Sequence, residues 1–284
     1  MIALCRRDLQ ALLEHARQEA HKDASRRQPH AGLLLQRGLP ACQGAPATAD
    51  PPPVSPEPAA DGEIKAGHLR AVASLRCSDY YRSAFRRWQA ATADGERFNA
   101  FDASLAGRLY IGVSRDNALE TGVSVAHSYG MPLIPGSAVK GLCRASAGEW
   151  LAQREAIRWL FGETTPQAAD PDSPDTPGGE RGGLIFHDAW WIPDDLPPFV
   201  AEVITVHHPQ YYASQGKTPA SDFDAPVPAP QLAVRGAFRF VIEGPPLWTA
   251  LARRLLVAGL QQRGIGSKRS SGYGFFNGGT KSSA

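Results

Sequence analysis

The apolar positions change period along the chain, and those changes divide it. Between residues 2 and 22, Ile2, Cys5, Leu9, Leu12, Leu13, Ala16 and Ala20 recur near helical spacing with charges between them, which predicts an amphipathic helix within an N-terminal helical segment, 1–42. Residues 43–62 shift to Pro, Ala, Asp and Glu, with prolines at 46, 51, 52, 53, 56 and 58. Such a stretch cannot bury a core and reads as a flexible linker. Leu69, Val72, Leu75, Tyr80, Ala84, Phe85 and Trp88 fit a second helix. From Phe101 to Val113 apolar and polar residues alternate, the period of a half-buried strand. A helix is predicted from Ser137, whose hydroxyl suits a first-turn cap, and it continues or repeats over Glu155 to Phe161.

Leu184 to Ile192 reads as a buried strand, Leu232 to Ile242 as another, Leu247 to Leu260 as a helix and Tyr273 to Phe276 as a last strand. The order is βαββαβ, with a Pro-rich insertion over 193–231. That is the split βαβ of an α+β, ferredoxin-like domain, here 63–284, with an antiparallel sheet and helices on one face. Fold alone implies no function.

Charge sharpens the picture where its total hides it. The 284 residues carry a formal net charge of +2, yet residues 244–284 hold six Lys/Arg and no acid, while 163–202 hold nine acids against Arg181 alone. Lys65 to Arg87 holds six cations against Asp79, which makes one face markedly basic. Basic surfaces suit a polyanion, and an acidic stretch suits a basic neighbour. No run nears the roughly 18 apolar residues of a membrane span, and charges interrupt the N-terminus, so neither a leader nor a membrane partner is expected. Cys5, Cys42, Cys77 and Cys143 form no C-x-x-C pair. A reducing cytoplasm is the expected home, with no metal and no cofactor.

Two segments carry chemistry. Gly264-Ile265-Gly266-Ser267-Lys268-Arg269-Ser270-Ser271-Gly272-Tyr273-Gly274 combines glycines that let a backbone approach a ligand with two cations and hydroxyl donors, the makings of a phosphate cradle. It matches neither G-x-x-x-x-G-K-[ST] nor G-x-G-x-x-G. The plainer alternative is a tight helix-to-strand turn. The second segment, Pro132 to Arg144, starts a helix whose free amides, with Lys140 and Arg144 on one face, can receive an anion; the plainer alternative is a capped helix with two solvated cations.

Ile134-Pro135-Gly136-Ser137-Ala138-Val139-Lys140-Gly141 followed by that C-terminal loop resembles the RAMP superfamily of CRISPR-associated RNA-binding proteins. Within it, the chain looks most similar to the sixth subunit family of the Cmr (type III-B) effector complex. Supporting residues are Ala31 to Arg37, Leu119-Glu120-Thr121-Gly122, Gly264-Ile265-Gly266-Ser267-Lys268 and Gly272-Tyr273-Gly274, and the resemblance spans most of residues 31–276. It implies an RRM-like fold and a non-catalytic subunit that caps one end of the backbone filament near the crRNA 3′ side. The implied partners are crRNA, complementary target RNA and the other Cmr subunits, backbone and small, in antiviral defence. The implied RNA contacts are Ser137, Lys140, Arg144, Ser267, Lys268, Arg269 and Ser270, with Gly264, Gly266, Gly272 and Gly274 permitting the approach.

An enzymatic alternative stays open. A RAMP-type endoribonuclease needs a base near a 2′-OH, and the candidates are His187 with Asp188 and the run His207-His208-Pro209-Gln210-Tyr211-Tyr212. His187 and Asp188 alternate across a strand, and His207, His208, Tyr211 and Tyr212 equally suit stacking on bases or on a protein neighbour. A nucleotide-sensing domain is a third possibility.

Overall fold

The computed structural model describes residues 29–38, 58–113, 121–163, 181–206, 208, 211, 214–221, 224 and 227–278. The helix predicted over 2–22 and linker residues 43–57 lie outside them. The chain divides into two compact units interleaved in sequence, one of 1–78, 113–131 and 194–234, the other of 79–112, 132–193 and 235–284.

The first unit holds helices α1 (Ala31–Arg37) and α2 (Pro58–Ala73) and an antiparallel hairpin, β5 (Phe199–Val206) with β6 (Val227–Val234). Residues 58–62, expected within the linker, open α2 instead: proline is tolerated at a first helical position, where its missing N–H would have no partner. The segment expected as an insertion, 193–231, contains most of the hairpin. Leu69, Val72, Phe199, Leu232 and Val234 are all buried in this unit. The single helix expected through Leu69 to Trp88 is two. Ser74 Oγ donates back to the Ala71 carbonyl, and a new helix, α3 (Asp79–Ala91), starts with an acid in its first turn.

The second unit is ferredoxin-like. Strands β1 (Phe98–Ser104) and β7 (Ala237–Glu243) pair antiparallel, and β7 also pairs with β3 (Ile185–Phe186) and β4 (Ala189–Trp191). A two-residue strand between prolines, β2 (Leu133–Ile134), adds to β4. The last strand expected over Tyr273–Phe276 reduces to one bridge, Leu105↔Phe276, because Gly272 and Gly274 take positive φ and break the extension. The long first strand ends at Ser104, and the long strand expected over Leu232–Ile242 turns at Gly236 (φ 104°) into separate strands of the two units.

Helices α4 (Gly136–Trp150), α5 (Arg154–Phe161) and α6 (Pro246–Gln262) belong to one face of this sheet, α3 to the other. On the first face Phe101 stacks on Phe240 and Phe161 on Phe186, with Arg253 of α6 over Phe101. On the second, Trp190 stacks with Tyr81 and Trp88 of α3, and Arg239, 5% exposed, pairs with Asp102 at 3.0 Å.

The predicted strand over Leu184 to Ile192 breaks at one residue. Ile185↔Glu243 and Phe186↔Ile242 share a register, whereas Trp190↔Arg239 and Trp191↔Phe238 are shifted by one. Asp188 is the extra residue, a β-bulge. Without it Trp190 would face the helices, since a one-residue slip exchanges the faces. The Gly136 amide donates to Asp188 Oδ1 at 2.7 Å, so a carboxylate from the sheet caps α4. Gly136 is needed there because a Cβ would stand 2.1 Å from the Phe186 carbonyl oxygen. Asp188→Ala should cost about 1 kcal/mol and Gly136→Ala about 1–3 kcal/mol through overpacking, both read as lower midpoints in urea.

Candidate nucleic-acid interface

Helix α6 ends at Gln262, and the glycine-rich loop follows. Its left-handed positions are Gly264 (φ 67°), Gly266 (88°), Lys268 (55°), Gly272 (87°) and Gly274 (79°). Most glycines serve the protein's own packing. A Cβ on Gly266 would lie 2.2 Å from the Tyr110 carbonyl oxygen, and one on Gly274 would lie 1.9 Å from that of Ile265. The Ile265 amide donates to Gly274, Ser267 to Tyr110 and Gly274 to Arg108, which ties the loop to the segment after β1. Ser271 and Tyr273 donate to Lys268, and Gly272 donates to Arg269.

The tight-turn alternative therefore describes Gly264, Gly266 and Gly274. What faces solvent is the crest: Lys268, Arg269, Ser270, Ser271 and Gly272 are exposed, and nothing lies within 4 Å of a Cβ built on Gly272. The amides of Gly266, Lys268, Arg269 and Ser270 donate to no backbone carbonyl among the described residues. An anion over the crest would meet two cations, hydroxyls and free amides. Tyr273 packs beside buried Tyr110, ring centroids 4.7 Å apart.

The second segment differs from its sequence reading. Pro135 occupies the N-cap position of α4 without a side-chain cap bond, and Ser137 sits exposed in the first turn. Asp188 already receives the Gly136 amide, so its negative charge stands where a phosphate was expected. Ser137, exposed, and Lys140 and Arg144, both half-buried, instead form a stripe at i, i+3 and i+7 that borders the solvent side of the helix. Neither cation has an ion-pair partner among the described residues.

The inner side of α4 packs on α6. Gly259 admits Ser146, the Cys143 thiol donates to the Ala252 carbonyl, and Arg263 pairs with Glu149. Burial pushes the Cys143 thiol up to about 12, which leaves it an inert packing group. Because Glu149 reaches Arg263 beside the loop, Ser137 stands about 18 Å away along the axis at 1.5 Å per residue. The two segments lie along one side of the unit and do not converge on a point. An extended strand can touch both; a small anion cannot.

Of the residues with an enzymatic reading, His187 and Asp188 part company as expected. His187 Nε2 lies 2.9 Å from Glu243 Oε2, while Arg97 donates to Glu243 Oε1 from Nε and Nη2 at 2.8 and 2.6 Å. The Arg97 guanidinium, then His187, holds the Glu243 carboxyl below its ordinary range. In the other unit His208 Nδ1 lies 3.0 Å from Asp224 Oδ2, which also accepts from the Ser221 amide. Those two bonds lower the Asp224 carboxyl. Tyr211 is 40% exposed; His207 and Tyr212 lie outside the described residues. Among the described residues no helix is long and apolar enough to cross a membrane.

The fold and its loop define the class, a ferredoxin-like α+β domain closed by a glycine-rich, cationic loop. Within that class the chain belongs to the RAMP superfamily, whose family model matches residues 102–277. A chain in the cryo-EM structure of the type III-B Cmr-beta bound to cognate target RNA is 16% identical, with a TM-score of 0.61 over 98% of this chain and 92% of that one. Cmr6 from Pyrococcus furiosus, seen in a crystal structure, is 22% identical over 63% of this chain and 97% of its own, with a TM-score of 0.37. No curated protein matches in sequence.

Gly266→Ala and Gly274→Ala should both lower the melting temperature strongly, since each combines positive φ with a backbone clash. Gly272→Ala, strained but unobstructed, should cost only about 1 kcal/mol. Because folding lowers the Glu243 carboxyl, its stabilisation is complete above the ordinary value of 4.5 and is lost as pH falls through the folded value. Glu243→Gln should accordingly flatten the acid limb of a melting-temperature profile and leave its alkaline limb in place.

Proposed function

We propose that this chain is a non-catalytic RNA-binding subunit of a type III-B CRISPR (Cmr) effector complex. It caps the backbone filament near the crRNA 3′ side and helps hold crRNA paired with target RNA, in the cytoplasm and in contact with other Cmr subunits. The observation that carries the reading is the loop crest on a RAMP frame: Lys268, Arg269 and Ser270 stand exposed while the glycines beside them anchor the loop. The α4 stripe of Ser137, Lys140 and Arg144 supports it, since cations spread from the loop crest along about 13 Å of helix suit a polynucleotide better than a nucleotide. The likeness to a chain of an RNA-bound Cmr-beta structure agrees in fold.

Affinity for single-stranded RNA should fall with salt at a log–log slope of about −0.7 per phosphate neutralised, and Lys268→Ala with Arg269→Ala should make the slope less negative by about 1.4. Salt-independent or absent binding, alone and with co-purified subunits, would overturn the reading. RNA cleavage by the isolated chain that His208→Ala abolishes would replace it with the endoribonuclease reading.

A further inference from the structure

In an RRM-like frame the sheet face away from the helices is where aromatic side chains stack exposed bases. Here its β4 side is covered. Helix α3 lies over it, and Trp190, which the Asp188 bulge turns to this side, is stacked between Tyr81 and Trp88, with ring centroids 5.9 Å from each. The Tyr81 hydroxyl donates to the Trp191 carbonyl at 2.6 Å, and Tyr81, Ala84 and Phe85 are buried. These anchors fix which side of α3 is left outward.

The outward side carries Tyr80, 64% exposed, with Ser83, Arg86 and Arg87. Tyr80, Ser83 and Arg87 fall at i, i+3 and i+7, so they share one stripe, and Arg86 flanks it. Arg86 makes only a 3.4 Å contact to Ser83 Oγ within the helix, and neither Arg86 nor Arg87 meets a carboxylate among the described residues. The nearest acids in sequence, Asp79 and Asp94, stand at or beyond the two ends of the helix.

We propose that the outward face of α3, Tyr80 with Arg86 and Arg87, is a second RNA-binding surface of this chain, which takes single-stranded RNA by phosphate contacts and base stacking. It lies on the face of the sheet opposite α4 and α6, apart from the loop crest. The chemistry favours RNA over a protein neighbour. Two unpaired guanidiniums beside an exposed phenol ring match a phosphate and a base plane, and the face offers no aliphatic centre of the kind a stable protein interface buries. The proposal builds on the RNA-binding reading above.

The test titrates a fluorescein-labelled, mixed-sequence single-stranded RNA against the full chain at several salt concentrations, with melting curves as a check on folding. Arg86→Ala with Arg87→Ala should make the log–log slope less negative by about 1.4. Arg86→Lys with Arg87→Lys should keep the wild-type slope, and Tyr80→Ala should weaken binding about tenfold without changing it. An unchanged slope in the alanine pair, while the Lys268/Arg269 pair shifts it, overturns this surface and leaves the loop reading standing. Loss of a co-purifying protein subunit with RNA binding intact makes it a protein-docking face and likewise overturns it. If the wild-type chain binds no RNA, the reading beneath fails and this one falls with it.

Discussion

The hydrogen bond from the Gly136 amide to the Asp188 carboxylate joins the three things this unit must coordinate. It fixes where α4 begins, holds a bulge in the strand that pairs with β7, and thereby decides which side of the sheet Trp190 occupies. A bulge is an unpaired residue that bends its strand; here the freed residue supplies a cap. The close approach is possible only because Gly136 has no side chain to meet the Phe186 carbonyl. The same contact answers a question of function, because the positive end of α4 already holds a negative charge. Positive charge offered to a ligand therefore comes from the side of the helix, at Lys140 and Arg144, and from the loop crest beyond α6.

Glycine does different work at different places in that crest. Positions 264, 266 and 274 let backbone pass backbone, and their amides or neighbours are bonded within the protein. Rigidity of that kind is what a binding loop needs, since order present beforehand is not charged against affinity. The cations then project from a fixed base. A cationic groove that follows a backbone, rather than a closed pocket, is the usual arrangement for nucleic acid bound without regard to sequence.

Much of this was legible in the sequence. The ferredoxin-like order, the helix over Leu247 to Leu260, the helix near Ser137 and the separation of His187 from Asp188 followed from period and spacing, because those elements bury one face each. Three features were not. The bulge at Asp188 leaves no periodic trace, since one inserted residue in a run of apolar side chains looks like more strand. The cap of α4 comes from a residue 52 positions away, and no local rule reaches so far. The hairpin β5–β6 carries prolines at 228 and 230, which read as loop although an outer-edge strand tolerates them. The chemistry of the glycine loop was visible as composition, but its division into packing glycines and an exposed crest needed the positions of Tyr110 and Ile265.

Photochemical cross-linking of the full chain to a single-stranded RNA, followed by peptide mapping, reads contact between the loop crest and RNA. Adducts are expected within residues 264–278, centred on the crest and Tyr273. Adducts found only elsewhere, with RNA bound and this segment unmarked, would rule that contact out.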